Sequence, residues 1–133
     1  MEATRAKGLA LIQARDLAAH VDQPIFVVDD EGVLVFFNEA AEDLLGKDFE
    51  SVGELTRDRW VAMWSPQGPD GDDLAFDDLP VSIVLRDRRP SHAQVRITTA
   101  SGESPLLEVT AIPLLPPGEP FAGALAIFWK TEG

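Results

Sequence analysis

The segment IFVVDDEGVLVFFNEAAEDLLG, residues 25–46, constrains the fold of this chain more than any other part of its sequence. Two runs of β-branched and aromatic residues, 25–28 and 33–37, flank an acidic turn, a pattern typical of a β-hairpin. Asn38 follows directly and is placed to cap a helix that begins with acidic residues and ends at Gly46. The sequence therefore predicts two paired strands that run straight into a short helix.

Composition excludes several classes of protein. The 133 residues contain no cysteine, which rules out disulfide scaffolds, thiol catalysis and thiolate metal sites. The formal net charge is -12 at pH 7, so we expect no direct contact with nucleic acid, whose phosphates this domain would repel. No apolar run approaches the ~20 residues of a membrane span, and the N-terminus lacks the apolar core of a signal peptide. We expect a cytoplasmic protein.

Residues 4–21 have the apolar spacing of a helix that Pro24 ends. One stripe of this helix is formed by small and apolar residues, namely Ala10, Ala14, Leu17, Ala18 and Val21. Leu9 and Ile12 lie off that stripe, so the helix has apolar surface on a second side, which indicates a partner. The alternative is that two scattered apolar residues on a surface helix carry no function.

The rest of the chain predicts more short helices and then three strands. Helical pieces are expected at 51–55 and 57–64, and a longer helix from Pro80 to Arg86. Three strands follow, at 91–99, 105–113 and 121–130, and the simplest arrangement is an antiparallel meander. In the last strand large residues alternate with small ones: Phe121, Leu125, Ile127 and Trp129 oppose Ala122, Ala124 and Ala126. The small face would leave room for something to lie against it.

This order of elements resembles the PAS domain. PIFVVDDEGVLVFFNEAAEDLLG at 24–46 is similar to the first hairpin and Asn-led helix of that family, and PDGDDLAFDDLPVSIVLRDRRP at 69–90 to its loop and longest helix. SGESPLLEVTAIPL at 101–114 resembles its fourth strand. The family usually ends the long helix at a glycine, where this chain has Asp87, which tolerates the left-handed conformation. The chain lacks the cysteines of LOV-type photosensors and photoactive yellow protein, so covalent photochemistry is excluded.

The resemblance implies an α+β fold, with a five-stranded antiparallel sheet, short helices on one face and an N-terminal flanking helix. It divides the chain into this helix, residues 1–21, and a PAS domain, residues 22–133. It also implies a sensor or interaction module in signal transduction that dimerises through the helix. The candidate dimer contacts are Leu9, Ile12, Leu17 and Val21.

A pocket between the middle helices and the sheet would bind a small hydrophobic ligand. The candidates for its walls are Trp60, Met63, Trp64, Ile83, Val84, Val95, Leu125 and Ile127. The alternative is that these residues pack together as a filled core, and that the chain is a ligand-free docking module of a larger kinase or transcription regulator. With little sequence after Trp129, the output is expected from a fused domain or from another protein.

Cofactor, metal and catalytic sites have weaker signals. No cofactor is expected; haem on His92 and a non-covalently bound flavin are the alternatives, although His92 opens a strand on its polar side. The acidic run from Asp70 to Asp78 lacks the ligand spacing of an EF-hand, so no metal site is predicted. The chain is not expected to be an enzyme. A ketosteroid-isomerase-like reaction with Glu108 as general base is the remaining alternative.

Overall fold

The structure, a computed structural model, describes residues 2–131 and the side chains of residues 8–131. The α-helices in this part of the chain are α1 (Glu2–Ala19), α2 (Glu39–Leu45), α3 (Phe49–Val52), α4 (Arg57–Trp64) and α5 (Pro80–Asp87). A single turn of 3-10 helix, Phe76–Asp78, precedes α5. The strands are β1 (Ile25–Asp29), β2 (Leu34–Phe37), β3 (Ser91–Arg96), β4 (Leu106–Leu114) and β5 (Gly123–Lys130).

The five strands of the described residues form one antiparallel sheet in the order β2-β1-β5-β4-β3. The C-terminal strand β5 is central: it pairs with β1 on one side and with β4 on the other. Apolar residues of α2, α4 and α5 pack on one face of the sheet, and those of α1 pack on the other face. This architecture confirms the predicted α+β class, the antiparallel sheet and the position of α1 as a flanking helix.

The first hairpin is closed by local chemistry. The Asp29 carboxylate accepts hydrogen bonds from the backbone N–H groups of Glu31, at 2.8 Å, and Val33, at 3.0 Å. Gly32 takes a φ of 83°, which glycine adopts without strain. Asn38 then caps α2, as predicted, by accepting from the Ala41 N–H at 3.0 Å. Short-range sequence signals thus determine the change from strand to helix.

The two faces of the sheet carry separate hydrophobic clusters. The helix-side cluster includes Phe37, Trp64, Val84 and Leu107, and the smaller outer cluster joins Ala14 and Ala18 of α1 to Ile25, Val27, Val35 and Leu125. Along β5 the alanines Ala124 and Ala126 face the helix side, whereas Leu125 and Ile127 face α1. The predicted opposition of Leu125 and Ile127 to Ala124 and Ala126 is present, but Leu125 and Ile127 do not face the middle helices.

Two other details differ from the sequence prediction. Leu17, which the sequence places on one stripe with Ala14 and Ala18 and also among the candidate dimer contacts, is exposed, and Leu11 packs against the outer cluster. The left-handed residue after α5 is Arg88, with a φ of 59°, rather than Asp87. The guanidinium carbon of Arg88 lies 3.7 Å from the centroid of the Phe121 ring, and this cation–π contact helps to hold the strained residue.

No helix in the described part of the chain combines the length and the apolar character that crossing a membrane requires.

Candidate functional site

An apolar cavity lies between the sheet and the helices that cover it, and we call it the helix-side cavity. Its volume is about 70 Å³. The sheet contributes Phe26, Leu34, Phe37, Val95, Leu107, Val109 and Phe128, and the helices and loops contribute Leu45, Trp60, Trp64, Pro66, Leu79, Pro80, Val81 and Ile97. These walls come from every strand of the sheet and from α2, α4 and α5, so a molecule inside would contact most of the fold.

Aromatic contacts hold the walls of the cavity in place. The rings of Phe26 and Trp60 have centroids 5.8 Å apart, and those of Phe26 and Phe128 are 5.7 Å apart. Phe37 and Trp64 meet edge to face at 6.0 Å. Each such pair is worth about 0.5–1.5 kcal/mol beyond the area it buries. These contacts join β1, β2 and β5 to α4 around the cavity.

The two tryptophans of α4 have opposite hydrogen-bond states. Trp60 donates its Nε1–H to the carbonyl oxygen of Gly32 at 3.0 Å, which ties α4 to the first hairpin. Trp64 is 7% exposed, and its Nε1 has no hydrogen-bond partner among the described residues. A buried donor left unpaired costs roughly 1–3 kcal/mol. Trp64 therefore provides an unused donor in a residue that lines an apolar cavity.

The structure brings some of the predicted pocket residues together and separates others. Trp60, Trp64 and Val95 line the helix-side cavity. Met63 and Val84 pack in the helix-side cluster without lining the cavity, and Ile83 is half-buried on α5. Leu125 and Ile127 are corrections: they lie on the opposite face of the sheet, in contact with the α1 cluster. Ala124 and Ala126, which alternate with them along β5, face the middle helices instead.

Several wall residues were missed by the sequence prediction, among them Phe26, Phe37 and Phe128. The hairpin strands are apolar on both faces, because one face packs on the helices and the other on α1. Alternation of apolar and polar residues could therefore not indicate which side chains face the cavity. The aromatic residues of the strands, Phe26, Phe37 and Phe128, were the feature of the sequence that could have indicated the cavity walls.

Asn38 joins the cavity layer to α1, a role that the sequence prediction, which assigned it as a helix cap, did not include. Its side-chain oxygen accepts from the N–H groups of Ile25 and Ala41, both at 3.0 Å. Its side-chain nitrogen donates to the carbonyls of Ala18 at 2.9 Å and Gln23 at 2.9 Å. Asn38 is 1% exposed, so these bonds are shielded from water. One side chain thus links the end of α1, the start of β1 and the start of α2.

A polar network occupies the outer face of β3 and β4. His92 is engaged at both ring nitrogens, Nδ1 with the Thr110 hydroxyl at 2.7 Å and Nε2 with the Glu108 carboxylate at 2.9 Å. Hydrogen bonds from Gln94, and then from His92 and Thr131, lower the pKa of Glu108. His92 therefore offers no free nitrogen to the cavity as a haem ligand, and Glu108 lies on the other face from it. Among the described residues, no group of acidic, histidine or cysteine side chains could hold a metal ion.

Helix α1 has an apolar surface that faces away from the sheet. Leu9, Ile12 and Leu17 are 54%, 62% and 63% exposed. Val21 differs from these three candidate dimer contacts, because it is half-buried against the outer cluster. The second apolar side of α1 predicted from Leu9 and Ile12 is therefore exposed in the structure, and Leu17 is exposed with them.

Comparison with known proteins identifies the family. A PAS domain family model matches residues 13–80, about half of the chain, and the chain belongs to this family. No curated protein matches it in sequence.

Solved structures with the same fold support the assignment. A PAS domain from Colwellia psychrerythraea is 20% identical, with a TM-score of 0.63 over 91% of this chain and 96% of that one. The PAS domain of nitrogen regulation protein NR(II) from Vibrio parahaemolyticus is 18% identical, with a TM-score of 0.62 over 89% and 97%. The Rhodobacter sphaeroides LOV protein is 16% identical, with a TM-score of 0.71 over 93% and 68%. PAS domains of signalling proteins thus share this fold.

Proposed function

We propose that this chain is a sensory PAS domain whose signal is a small apolar molecule bound in the helix-side cavity. The observation that carries this proposal is the cavity itself, an apolar space of about 70 Å³ lined by residues of all five strands. A cavity of this size is well below the ~300–1,000 Å³ of pockets that enclose drug-sized ligands, so a non-covalent flavin does not fit this arrangement.

The signal would leave the cavity through Asn38. Phe37 lines the cavity and is followed directly by Asn38, which donates hydrogen bonds to the carbonyls of Ala18, at the end of α1, and Gln23, just before β1. A ligand that moves β2 or α2 therefore changes the hydrogen bonds that hold α1. In thermodynamic terms, the ligand favours one of two arrangements of α1 by binding that arrangement more tightly.

Xenon tests whether the cavity accepts an apolar guest, since it occupies apolar cavities without making hydrogen bonds. We expect saturable changes in the NMR signals of the Val95 and Leu107 methyl groups on addition of xenon. The Val95→Phe variant, which fills the cavity, should lose this response, while the matched Ile112→Phe variant on the open outer face should keep it. Methyl signals that stay unchanged in the wild type would reject a ligand-binding role.

Hydrogen exchange in the same samples tests whether ligand binding in the cavity affects α1. We expect xenon to change the protection of the α1 amides in the wild type and not in Val95→Phe. Binding that leaves α1 unaffected would contradict the sensory role while leaving the cavity as a binding site.

A second function, protein–protein interaction through α1, is favoured by the exposed face formed by Leu9, Ile12 and Leu17. We propose that a second copy of the chain covers this face. Two such helices packed about a two-fold axis would bury the same three residues in each copy, which is the usual geometry of a homodimer. A fused output domain or a partner regulator would then read the position of α1.

Sedimentation equilibrium tests the dimer. The wild type is expected at twice the monomer mass, and Leu9→Glu with Ile12→Glu should be monomeric. Ile112→Glu, at an exposed apolar residue of the sheet, is the matched control and should remain dimeric. A monomeric wild type, or a double variant with the mass of the wild type, would reject this interface. The cytoplasmic location, the identity of the partner and a function without catalysis stay predictions.

A further inference from the structure

One wall residue of the helix-side cavity also contacts solvent. Phe26 is half-buried, whereas all the other described residues that line the cavity are buried. The Phe26 side chain therefore touches the cavity and bulk water at the same time. Since protein covers the other walls, Phe26 marks the place where the covering of the cavity is thinnest.

The ring of Phe26 packs between two other aromatic residues of the cavity wall. Its centroid lies 5.8 Å from that of the Trp60 ring and 5.7 Å from that of the Phe128 ring. Trp60 and Phe128 are only 6% and 3% exposed. Phe26 thus bridges α4 and β5 at the exposed side of the cavity, and the two rings beside it belong to the core.

The backbone of Phe26 and the neighbouring indole are held in place. Strand β1 is paired on both sides, so Phe26 lies opposite Phe37 of β2 and Ala126 of β5. Such a strand cannot swing outward without breaking backbone hydrogen bonds on both sides. Trp60 is fixed by its hydrogen bond to the Gly32 carbonyl at 3.0 Å and by an edge-to-face contact with Phe76 at 5.7 Å. The part that can move at this place is the Phe26 side chain.

The neighbour of Phe26 on β5 leaves space for this movement. Side chains directly opposite each other on antiparallel strands have Cβ atoms about 4.5–5.5 Å apart, so a large neighbour would restrict the ring. At this position β5 has Ala126, whose side chain is a single methyl group. Side chains with exposed surface also change rotamer much faster than strands or helices move. The ring of Phe26 can therefore leave its position while the sheet stays intact.

We propose that the Phe26 side chain is the gate of the helix-side cavity, and that an apolar ligand enters and leaves when this ring changes rotamer. The inference rests on the proposed function, because it concerns how the ligand of the same cavity reaches its site. A gate lies on the path in both directions. It therefore sets the rates of binding and release and leaves the affinity to the buried walls.

Xenon exchange tests the gate on the whole 133-residue chain. Saturation transfer in xenon-129 NMR gives the release rate, and titration of the Val95 and Leu107 methyl signals gives the dissociation constant. The association rate follows from the two. We expect Phe26→Leu to raise both rates roughly 2- to 10-fold, because the smaller side chain loses the aromatic contacts that hold the gate closed. The dissociation constant should change less than either rate.

Phe128→Leu is the matched control. It makes the same substitution in a ring that contacts Phe26 and lines the same cavity, but that is only 3% exposed. We expect it to change the dissociation constant through the volume of the cavity and to leave the association rate at the wild-type value. An equal rise of the association rate in both variants would show a general loosening of the aromatic walls and would overturn the gate.

The outcomes separate this inference from the proposed function. Wild-type rates in Phe26→Leu overturn the gate and leave the proposed function standing. Xenon that causes no saturable methyl shift in the wild type overturns the proposed function, and this inference with it.

A second variant decides if Phe26→Leu does not fold. Phe76→Leu weakens the support of Trp60, the fixed side of the gate, and Phe76 is not among the described residues that line the cavity. Both rates should then rise with an unchanged dissociation constant. Rates equal to those of the wild type would overturn the gate.

Discussion

The two faces of the sheet differ in almost every physical property. The helix-side face is apolar, covered by helices and rich in aromatic residues, and it contains the cavity. The outer face is divided: α1 covers β1 and β2 through the outer cluster, whereas β3 and β4 carry the polar network around Glu108. Trp129 and Ile112 remain exposed on this open part. The proposed ligand site and the proposed interface of α1 thus lie on opposite faces of the sheet.

Strand β4 shows the difference most directly. Leu107, Val109 and Ala111 belong to the helix-side cluster, while Glu108 and Thr110, between them, take part in the outer network. Because successive side chains of a strand point to opposite faces, a single strand can supply both environments. Substitutions in one strand can therefore test the proposed roles of the two faces separately.

The largest effect is expected from truncation on the helix side of β4. Leu107→Ala should lower the free energy of unfolding by about 2–5 kcal/mol, because it removes buried methyl groups and enlarges an existing cavity. Ile112→Ala, on the outer face of the same strand, should cost less than about 1 kcal/mol, because that side chain is partly exposed. Urea denaturation measures both. Equal costs would show that the two faces are packed alike.

The free energy of unfolding should fall by about 2–3 kcal/mol when the hydrogen bonds by which Asn38 connects the two faces of the sheet are removed. Asn38→Asp keeps an oxygen for the Ile25 and Ala41 N–H groups but cannot donate to the carbonyls of Ala18 and Gln23. Hydrogen exchange should therefore show weaker protection in α1 and little change in α2. Asn38→Ala, which removes both sets of bonds, is the matched comparison and should weaken both helices. Unchanged protection of α1 in Asn38→Asp would disprove the link.

A smaller effect should distinguish the two tryptophans of α4. Trp60→Phe removes the donor to the Gly32 carbonyl, whereas Trp64→Phe removes a donor that has no partner among the described residues. Both substitutions replace an indole by the smaller phenyl ring. The difference between their effects on the free energy of unfolding therefore reports on the hydrogen bond from Trp60 to Gly32. We expect Trp60→Phe to cost about 1 kcal/mol more than Trp64→Phe in thermal or urea denaturation. A larger cost for Trp64→Phe would indicate that its N–H is paired in solution.

The smallest effect concerns the outer network and its response to acid. The pKa of Glu108 is lowered in the folded chain from its ordinary value of 4.5, chiefly by the hydrogen bond from Gln94. A carboxyl with a lowered folded pKa stabilises the fold above its unfolded pKa, and this contribution is lost as the pH falls through the folded value. The melting temperature of the wild type should therefore be higher than that of Glu108→Gln at pH 6. This difference should disappear as the pH falls below 4.5.

Gln94→Ala supplies the control for this titration. It removes the largest cause of the lowered pKa, so the pH at which the wild-type carboxyl loses its stabilising effect should move up. A difference in melting temperature between the wild type and Glu108→Gln that stays constant from pH 6 to pH 3 would contradict the lowered pKa of Glu108. The cavity on the other face should not respond to either substitution.

Local signals in the sequence predicted most of the elements. The hairpin follows from the residues that form its turn, α2 from the cap at Asn38 and the stop at Gly46, and the start of α5 from Pro80. These features depend on residues a few positions apart, so the chain specifies them before it is folded. The strands of the meander were expected within a few residues of their observed bounds, and their antiparallel arrangement was the simplest one that their sequence allowed.

The amino-acid sequence by itself determined which segments are extended or helical, because turn, cap and stop residues act over a few neighbouring positions. Only the tertiary structure decided which face of β5 meets the helices, since both faces are buried and alternation cannot distinguish them. It also decided that Trp60 is hydrogen-bonded while Trp64 has no partner among the residues that the structure describes, because the partner of Trp60 lies 28 positions away along the chain. The difference between these two residues depends on how distant segments pack, and that packing leaves no local signal in the sequence.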